Sequence, residues 1–295
     1  MEQNLVVGIG EVLWDMLPEG KKLGGAPCNF VYHIGQFGLN SCAVSAIGVD
    51  ELGAEAVAAM EQKGVNFMLE RVDYPTGTVN VTLNGEGVPQ YDIKRNVAWD
   101  NIPYTAGLEE MARRTSAVCF GSLAQRSEVS RKTITRFVDA VAANGRNPLL
   151  VFDINLRQNF YTESIIFDSM NRCNVLKIND EELIEVGRLL GAAQSSESDL
   201  CRLIMSRFKI KTLILTCGAN GSYVYCDKNV SYLPTPQVNV ADTVGAGDSF
   251  TAAFVASLLK GNSIEQSHRR AVEVSAFVCS RHGAMPELPD ELASC

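Results

Sequence analysis

The chain has 295 residues, 26 of them Lys or Arg and 34 Asp or Glu, for a formal net charge of −8. With 46% hydrophobic and 20% charged residues it has a globular composition, which excludes wholesale disorder. The acidic balance, with basic residues only in short pairs such as Arg113-Arg114 and Arg269-Arg270, argues against a nucleic-acid partner, and no apolar run approaches the ~18 residues of a membrane span.

In chain order, residues 5–10 read as a strand covered on both faces, because the run is apolar without polar alternation. Residues 43–47, 117–120, 149–152, 175–178 and 213–216 read the same way. Between them lie helical patterns. Residues 54–62 follow Asp50 as N-cap and stop before Gly64. Residues 130–143 carry Ile134, Phe137, Val138 and Val141 on one face. The alternation predicts an α/β fold with a mainly parallel sheet.

Residues 76–83 and 88–94 break the alternation. They are strand-like and flank Asn84-Gly85-Glu86-Gly87, a hairpin-turn sequence. Val79, Val81 and Leu83 alternate with Thr78, Asn80 and Thr82, so one face is polar. The pattern fits a small antiparallel sheet at an edge, either a plain hairpin or a lid.

Nine cysteines, at 28, 42, 119, 173, 201, 217, 226, 279 and 295, are odd in number and form no C-x-x-C. Reduced thiols and a cytoplasmic location are the simpler reading, and the start Met1-Glu2-Gln3-Asn4 lacks the basic region of a signal peptide. His33, His268 and His282 form no ligand pattern.

The chemistry gathers in five clusters. Gly245, Ala246 and Gly247 open a helix carrying Phe250, Phe254 and Leu258, so uncovered amides and the helix dipole make an anion site. Asp248 follows in the first turn, where it should stay ionised; it reads as a proton acceptor or as ordinary capping. Gly24 and Gly25, with Asn29 after them and Asp15 before, fit a polyol-binding surface or a plain turn. Asn179 and Glu182 share one face at a helix start and fit either Mg2+ waters or a cap. Thr216, Gly218 and Gly221 fit a phosphate turn or a plain one. Asp153, Asn155 and Arg157 follow a strand. Four of these clusters lie at the carboxyl ends of strands or in the loops beyond, where open α/β sheets bind ligands. A dinucleotide fingerprint is absent, since Leu13 stands three after Gly10, and no P-loop occurs.

Gly24-Gly25-Ala26-Pro27-Cys28-Asn29 and Asp242-Thr243-Val244-Gly245-Ala246-Gly247-Asp248 resemble the two signatures of the ribokinase-like (PfkB) carbohydrate kinases. The N-x-x-E pair Asn179/Glu182, the T-x-G-x-x-G turn at 216–221 and Gly48-Val49-Asp50-Glu51-Leu52-Gly53 agree with that family in order. Gly-Gly-Ala-Pro together with Asp153, Asn155 and Arg157 is most similar to the fructokinase branch.

The resemblance implies a three-layer α/β/α sandwich with a mainly parallel central sheet, one catalytic domain over 1–295, and a small antiparallel β lid from about 11–24 and 76–97. It implies ATP-dependent phosphorylation of a sugar, D-fructose to fructose 6-phosphate first. The alternatives are ribose, 2-keto-3-deoxygluconate, a nucleoside or a sugar phosphate as acceptor, or a non-catalytic sensor. In it Asp248 is the base, and Gly245, Ala246 and Gly247 stabilise the transferring phosphoryl group. Asp15, Gly24, Gly25, Asn29, Arg95 and Arg157 meet the acceptor, while Asn179, Thr216, Gly218, Gly221 and Gly247 line the nucleotide site. Asn179 and Glu182 hold Mg2+ through water, and K+ is an option near Asp242, Val244 and Gly283. A homodimer through the lid is a further expectation. Cys28 stands where the family has a smaller residue, and a thiol there is expected to be open to oxidation.

Overall fold

The computed structural model describes residues 4–18, 20–83 and 89–294. In chain order the elements are β1 (Leu5–Ile9), β2 (Leu13–Leu17), β3 (Gly20–Gly24), α1 (Ala26–Gln36), β4 (Asn40–Gly48), α2 (Glu51–Gln62), β5 (Phe67–Val72), β6 (Gly77–Leu83), β7 (Pro89–Ile93), α3 (Ala106–Arg114), β8 (Thr115–Phe120), α4 (Glu128–Ala142), β9 (Leu149–Asp153), α5 (Glu163–Met170), β10 (Val175–Asn179), α6 (Asp180–Leu189), α7 (Glu197–Phe208), β11 (Thr212–Thr216), β12 (Ser222–Cys226), β13 (Asn229–Leu233), α8 (Ala246–Leu259), α9 (Ile264–Cys279) and α10 (Asp290–Ala293).

The apolar runs make a nine-stranded sheet in the order β13-β12-β11-β10-β9-β8-β1-β4-β5. Its pairs are parallel except β11–β12 and β12–β13, which are antiparallel. Alternate residues feed two cores. Val7, Ile9, Val118 and Phe120 join side chains of α3 to α7 on one face. Val6, Ala117 and Cys119 join α1, α2, α8 and α9 on the other. This is the expected three-layer arrangement, and it leaves the loops after the parallel strands at one end of the sheet.

Helix α8 lies deepest. Phe254, Val255 and Ala256 are fully buried, and its run of alanines lets it pack closely on α1 and α9. Its start is fixed by Gly245 at φ 79°, where a side chain would run into the Ala284 backbone. Asp50 caps α2 as the sequence predicts, accepting from Gly53 N at 2.8 Å and also from the Thr76 hydroxyl, which ties that helix to the approach to β6.

A second sheet of four strands runs β3-β2-β6-β7. Both hairpins, β2–β3 and β6–β7, are antiparallel, but the joint between them, β2–β6, is parallel. The small sheet is thus two antiparallel hairpins joined by one parallel pair; the turn at residues 84–87 lies outside the described residues. Register places Asp15 opposite Val79, and Val79 opposite Ile93. The apolar face with Leu13, Val79 and Ile93 thus turns toward the cleft below. On the other face Trp14 donates to the Leu52 carbonyl at 2.9 Å.

Two of the three histidines are structural. His33 bridges Gln36 and the Ala284 carbonyl, and burial lowers its pKa to about 4, so it is neutral. His268 lies between Ser222 and Ser231 and is likewise neutral, lowered by burial to about 4. The eight described cysteines are free thiols. No described helix is long and apolar enough to cross a membrane.

Candidate active site

The loops beyond β1, β9, β10 and β11, the start of α8 and the four-stranded sheet enclose a cleft of about 1870 Å³. Pockets for one small molecule span roughly 300–1,000 Å³, so there is room for two ligands. Every site residue expected from the sequence lines this cleft except Arg95. The Arg95 guanidinium instead stacks over the Phe160 ring, 4.6 Å from its centre.

The α8 start forms the floor. Asp248 is the third residue of the helix, beside the amides of residues 245–247. Asn29 of α1 donates from Nδ2 to Asp248 Oδ2 at 2.8 Å. The Asp248 carboxyl lies above the ordinary carboxylate range, yet it is still mostly ionised at neutral pH. Burial, then the Asp153 charge, push it up to about 6, against the pull of Asn29, Lys177 and Arg157. Below the glycine turn, Lys177 pairs with Asp153 at 3.1 Å, and Thr251 donates to Asp153 at 3.0 Å. Burial opposes the Lys177 charge, but Asp153 and Glu182 outweigh it, so its pKa is raised and it stays charged. A Cβ on Gly247 would lie 3.0 Å from Lys177 Nζ, so the ammonium packs directly against the turn.

At one end of the cleft, Asp15 reaches in from β2. Burial raises its pKa, with Lys22 opposing. A Cβ on Gly24 would lie 2.6 Å from Asp15 Oδ2, so the glycine makes room for the carboxylate. Gly25 has φ 116°, and a side chain there would overlap the Glu11 carbonyl. Cys28 is fully buried, and burial raises its thiol to about 12, so the expected sensitivity to oxidation is corrected: there is neither access nor thiolate.

At the other end, Thr216 closes β11, and Gly218 and Gly221 have φ 52° and 98° in the turn that follows. Thr235 braces this turn, accepting from Gly221 N and donating to the Gly218 carbonyl. Asn179 and Glu182 form a capping box: Asn179 Oδ1 accepts from Glu182 N, and Glu182 Oε2 from Asn179 N. Glu182 Oε1 accepts from Leu156 N, which holds the loop after β9. These oxygens are committed to backbone amides, so the pair fits contact with the waters of a hydrated Mg2+ and not direct coordination. Asp242 spans two loops, accepting from Val244 N and Gly283 N, each at 3.0 Å.

The family model "pfkB family carbohydrate kinase" matches residues 19–291. The chain belongs to the pfkB family of carbohydrate kinases. It is 30% identical to probable fructokinase-5 of Arabidopsis thaliana over 97% of this chain and 94% of that protein. Among solved structures it is similar to a fructokinase with bound ATP from Xylella fastidiosa, at 20% identity and a TM-score of 0.85, over 98% and 96% of the two chains. It is also similar to aminoimidazole riboside kinase of Salmonella enterica, at 21% identity and a TM-score of 0.78, over 98% of each chain.

In this pfkB kinase three groups at the site escaped the sequence reading. Glu11 lines the cleft and is 3% exposed. Lys177 supports the glycine turn, and Thr235 braces the Gly218 loop. For the first two a signal existed: each is a lone charge in an apolar run, Glu11 between Gly10 and Val12 and Lys177 between Leu176 and Ile178. A charge at such a position is buried, and a buried charge needs a partner or a ligand.

Proposed function

We propose that this kinase transfers the γ-phosphate of ATP to a sugar hydroxyl, with D-fructose, converted to fructose 6-phosphate, as its first acceptor. The observation that carries the reading is Asp248 beside the amides of residues 245–247, on the floor between the two ends of one cleft. The fructokinase relative supports the choice of sugar.

The acceptor hydroxyl lies against Asp248. The carboxylate takes its proton as the oxygen bonds to the γ-phosphorus, and the bond from that phosphorus to the β-phosphate bridging oxygen breaks, releasing ADP. A carboxylate with a pKa near 6 is ionised at neutral pH yet basic enough to share a proton in the transition state. The amides of residues 245–247, with the Lys177 charge behind them, stabilise negative charge on the transferring group. Asp15 and Asn29 orient the sugar, Arg157 meets phosphate or sugar, and the turn at 216–221 receives the nucleotide. Mg2+, when bound through its waters by Asn179 and Glu182, neutralises phosphate charge. K+ belongs with the loops that Asp242 joins. The four-stranded sheet acts as a lid that excludes water. The free thiols suit the reducing cytoplasm, where we place the protein.

The riboside kinase has the same fold and a different acceptor, so the choice of sugar is tested directly. In an ADP-release assay with fructose, ribose, 2-keto-3-deoxygluconate and a nucleoside, fructose is expected to have the highest kcat/KM. Another acceptor ahead by about tenfold overturns that choice. Calorimetric binding of sugar and ATP with no product from any acceptor overturns the kinase reading in favour of a sensor.

A further inference from the structure

Glu11 lies between β1 and β2, is 3% exposed, and its Oε2 is buried with no hydrogen-bond partner among the described residues. Its own backbone and, less strongly, the Ala26 backbone at the first residue of α1 favour the charged carboxyl against burial. The charges facing it are Asp248 from α8 and Arg157 from the loop after β9. Asn29, three residues after Ala26 and on the same side of α1, has its Oδ1 in the same condition, buried and with no partner among the described residues. Both residues line the end of the cleft that holds Asp15 and Gly24.

A buried polar atom without a partner is costly, and an apolar side chain would fill the space at less cost. Two such oxygens beside one helix turn therefore point to a ligand that supplies their partners. A polyhydroxylated substrate brings several O–H groups at once. Asp248 is already bonded to Asn29 and lies beside the amides of residues 245–247, so it is the group that receives the reacting hydroxyl. Glu11 is left for another hydroxyl of the same molecule.

We propose that Glu11 is a specificity-determining residue of the acceptor site, whose Oε2 hydrogen-bonds a sugar hydroxyl other than the one presented to Asp248. The assignment rests on the sugar-kinase reading above. A substrate lacking that hydroxyl leaves Oε2 unpaired again, and the loss of that bond is the discrimination.

The test pairs truncation of the protein with truncation of the sugar. Wild type, Glu11→Gln and Glu11→Ala are assayed for kcat/KM on D-fructose and on its singly deoxygenated analogues, or on the analogues of whichever panel sugar ranks first. Glu11→Ala is expected to lose about 30-fold on the parent sugar and less than about threefold on one analogue, the one without the contacted hydroxyl. Equal losses on all analogues, or no loss on the parent sugar, overturn the assignment. Melting temperature is the second readout. Glu11→Gln, which keeps the shape and removes the charge, is expected to raise the ligand-free value by about 2 °C near pH 8 and to shrink the rise produced by sugar. A fall in the ligand-free value would make Glu11 a structural residue and overturn the proposal. The two readings fail differently: if the kinase reading is wrong, wild type phosphorylates no sugar, whereas if only Glu11 is misassigned, wild type is active and the cycle shows no coupling.

Discussion

Asn29 and Asp248 are 219 positions apart in sequence, yet Asn29 Nδ2 donates to Asp248 Oδ2 at 2.8 Å. This bond joins the two signature segments into one site and holds the carboxylate over the start of α8. It also lowers the Asp248 pKa against burial and the Asp153 charge. Asn29→Ala is therefore expected to move the acidic limb of the pH–rate profile upward and to lower kcat/KM by about tenfold or more. The profile measured from about pH 5 to 9 checks this; an unmoved acidic limb would show that the bond does not tune Asp248.

Glu11 makes a signed prediction about stability. Burial raises its pKa from 4.5 to about 7, so the folded chain holds this proton more tightly than the unfolded chain. The resulting stabilisation is fully present below 4.5 and is lost as pH rises through about 7. The difference in unfolding free energy, wild type minus Glu11→Gln, should fall between about pH 4 and 8 in urea titrations. A flat or rising difference would contradict the burial of this carboxyl.

Gly25 and Gly64 separate steric from conformational cost. Both have positive φ, 116° and 67°, but a side chain on Gly25 would overlap the Glu11 carbonyl while Gly64 faces open space. Gly25→Ala should cost about 3 kcal/mol or more and depress activity. Gly64→Ala should cost about 1 kcal/mol and leave activity intact. Equal costs would show that the contact at Gly25 relaxes freely.

How far the sequence revealed this molecule depends on how local each cause is. The parallel strands were legible because apolar runs such as Leu149 to Phe152 carry their own signal, and Asp50 was legible as a cap because Gly53 N lies within its reach. The β2–β6 pairing was not legible, since it joins segments some sixty residues apart and nothing in either hairpin specifies a parallel neighbour. Asn179 and Glu182 were found, but their role as a box that also grips Leu156 N depends on where the β9 loop passes. Arg95 was misplaced for the same reason: an arginine after a strand does not reveal that Phe160, far along the chain, will receive it.

The buried Lys177–Asp153 pair supports the glycine turn from beneath, with side chains only 10% and 7% exposed. Lys177→Met leaves the buried Asp153 without its ion-pair partner, and is expected to cost about 3–5 kcal/mol and to reduce kcat. Adding Asp153→Leu should restore much of the stability without restoring kcat, because the positive charge behind residues 245–247 stays absent. Recovery of both would make the pair purely structural.

The most direct test of the whole account is Asp248→Asn, which keeps the shape and the bond to Asn29 within reach but removes the proton acceptor. With D-fructose, ATP and Mg2+, ADP release is expected to fall by about 10²–10⁴-fold, while the KM for sugar stays within about threefold and melting shows a folded protein. A folded Asp248→Asn protein turning over within about threefold of wild type would contradict the central claim that this carboxylate takes the sugar's proton.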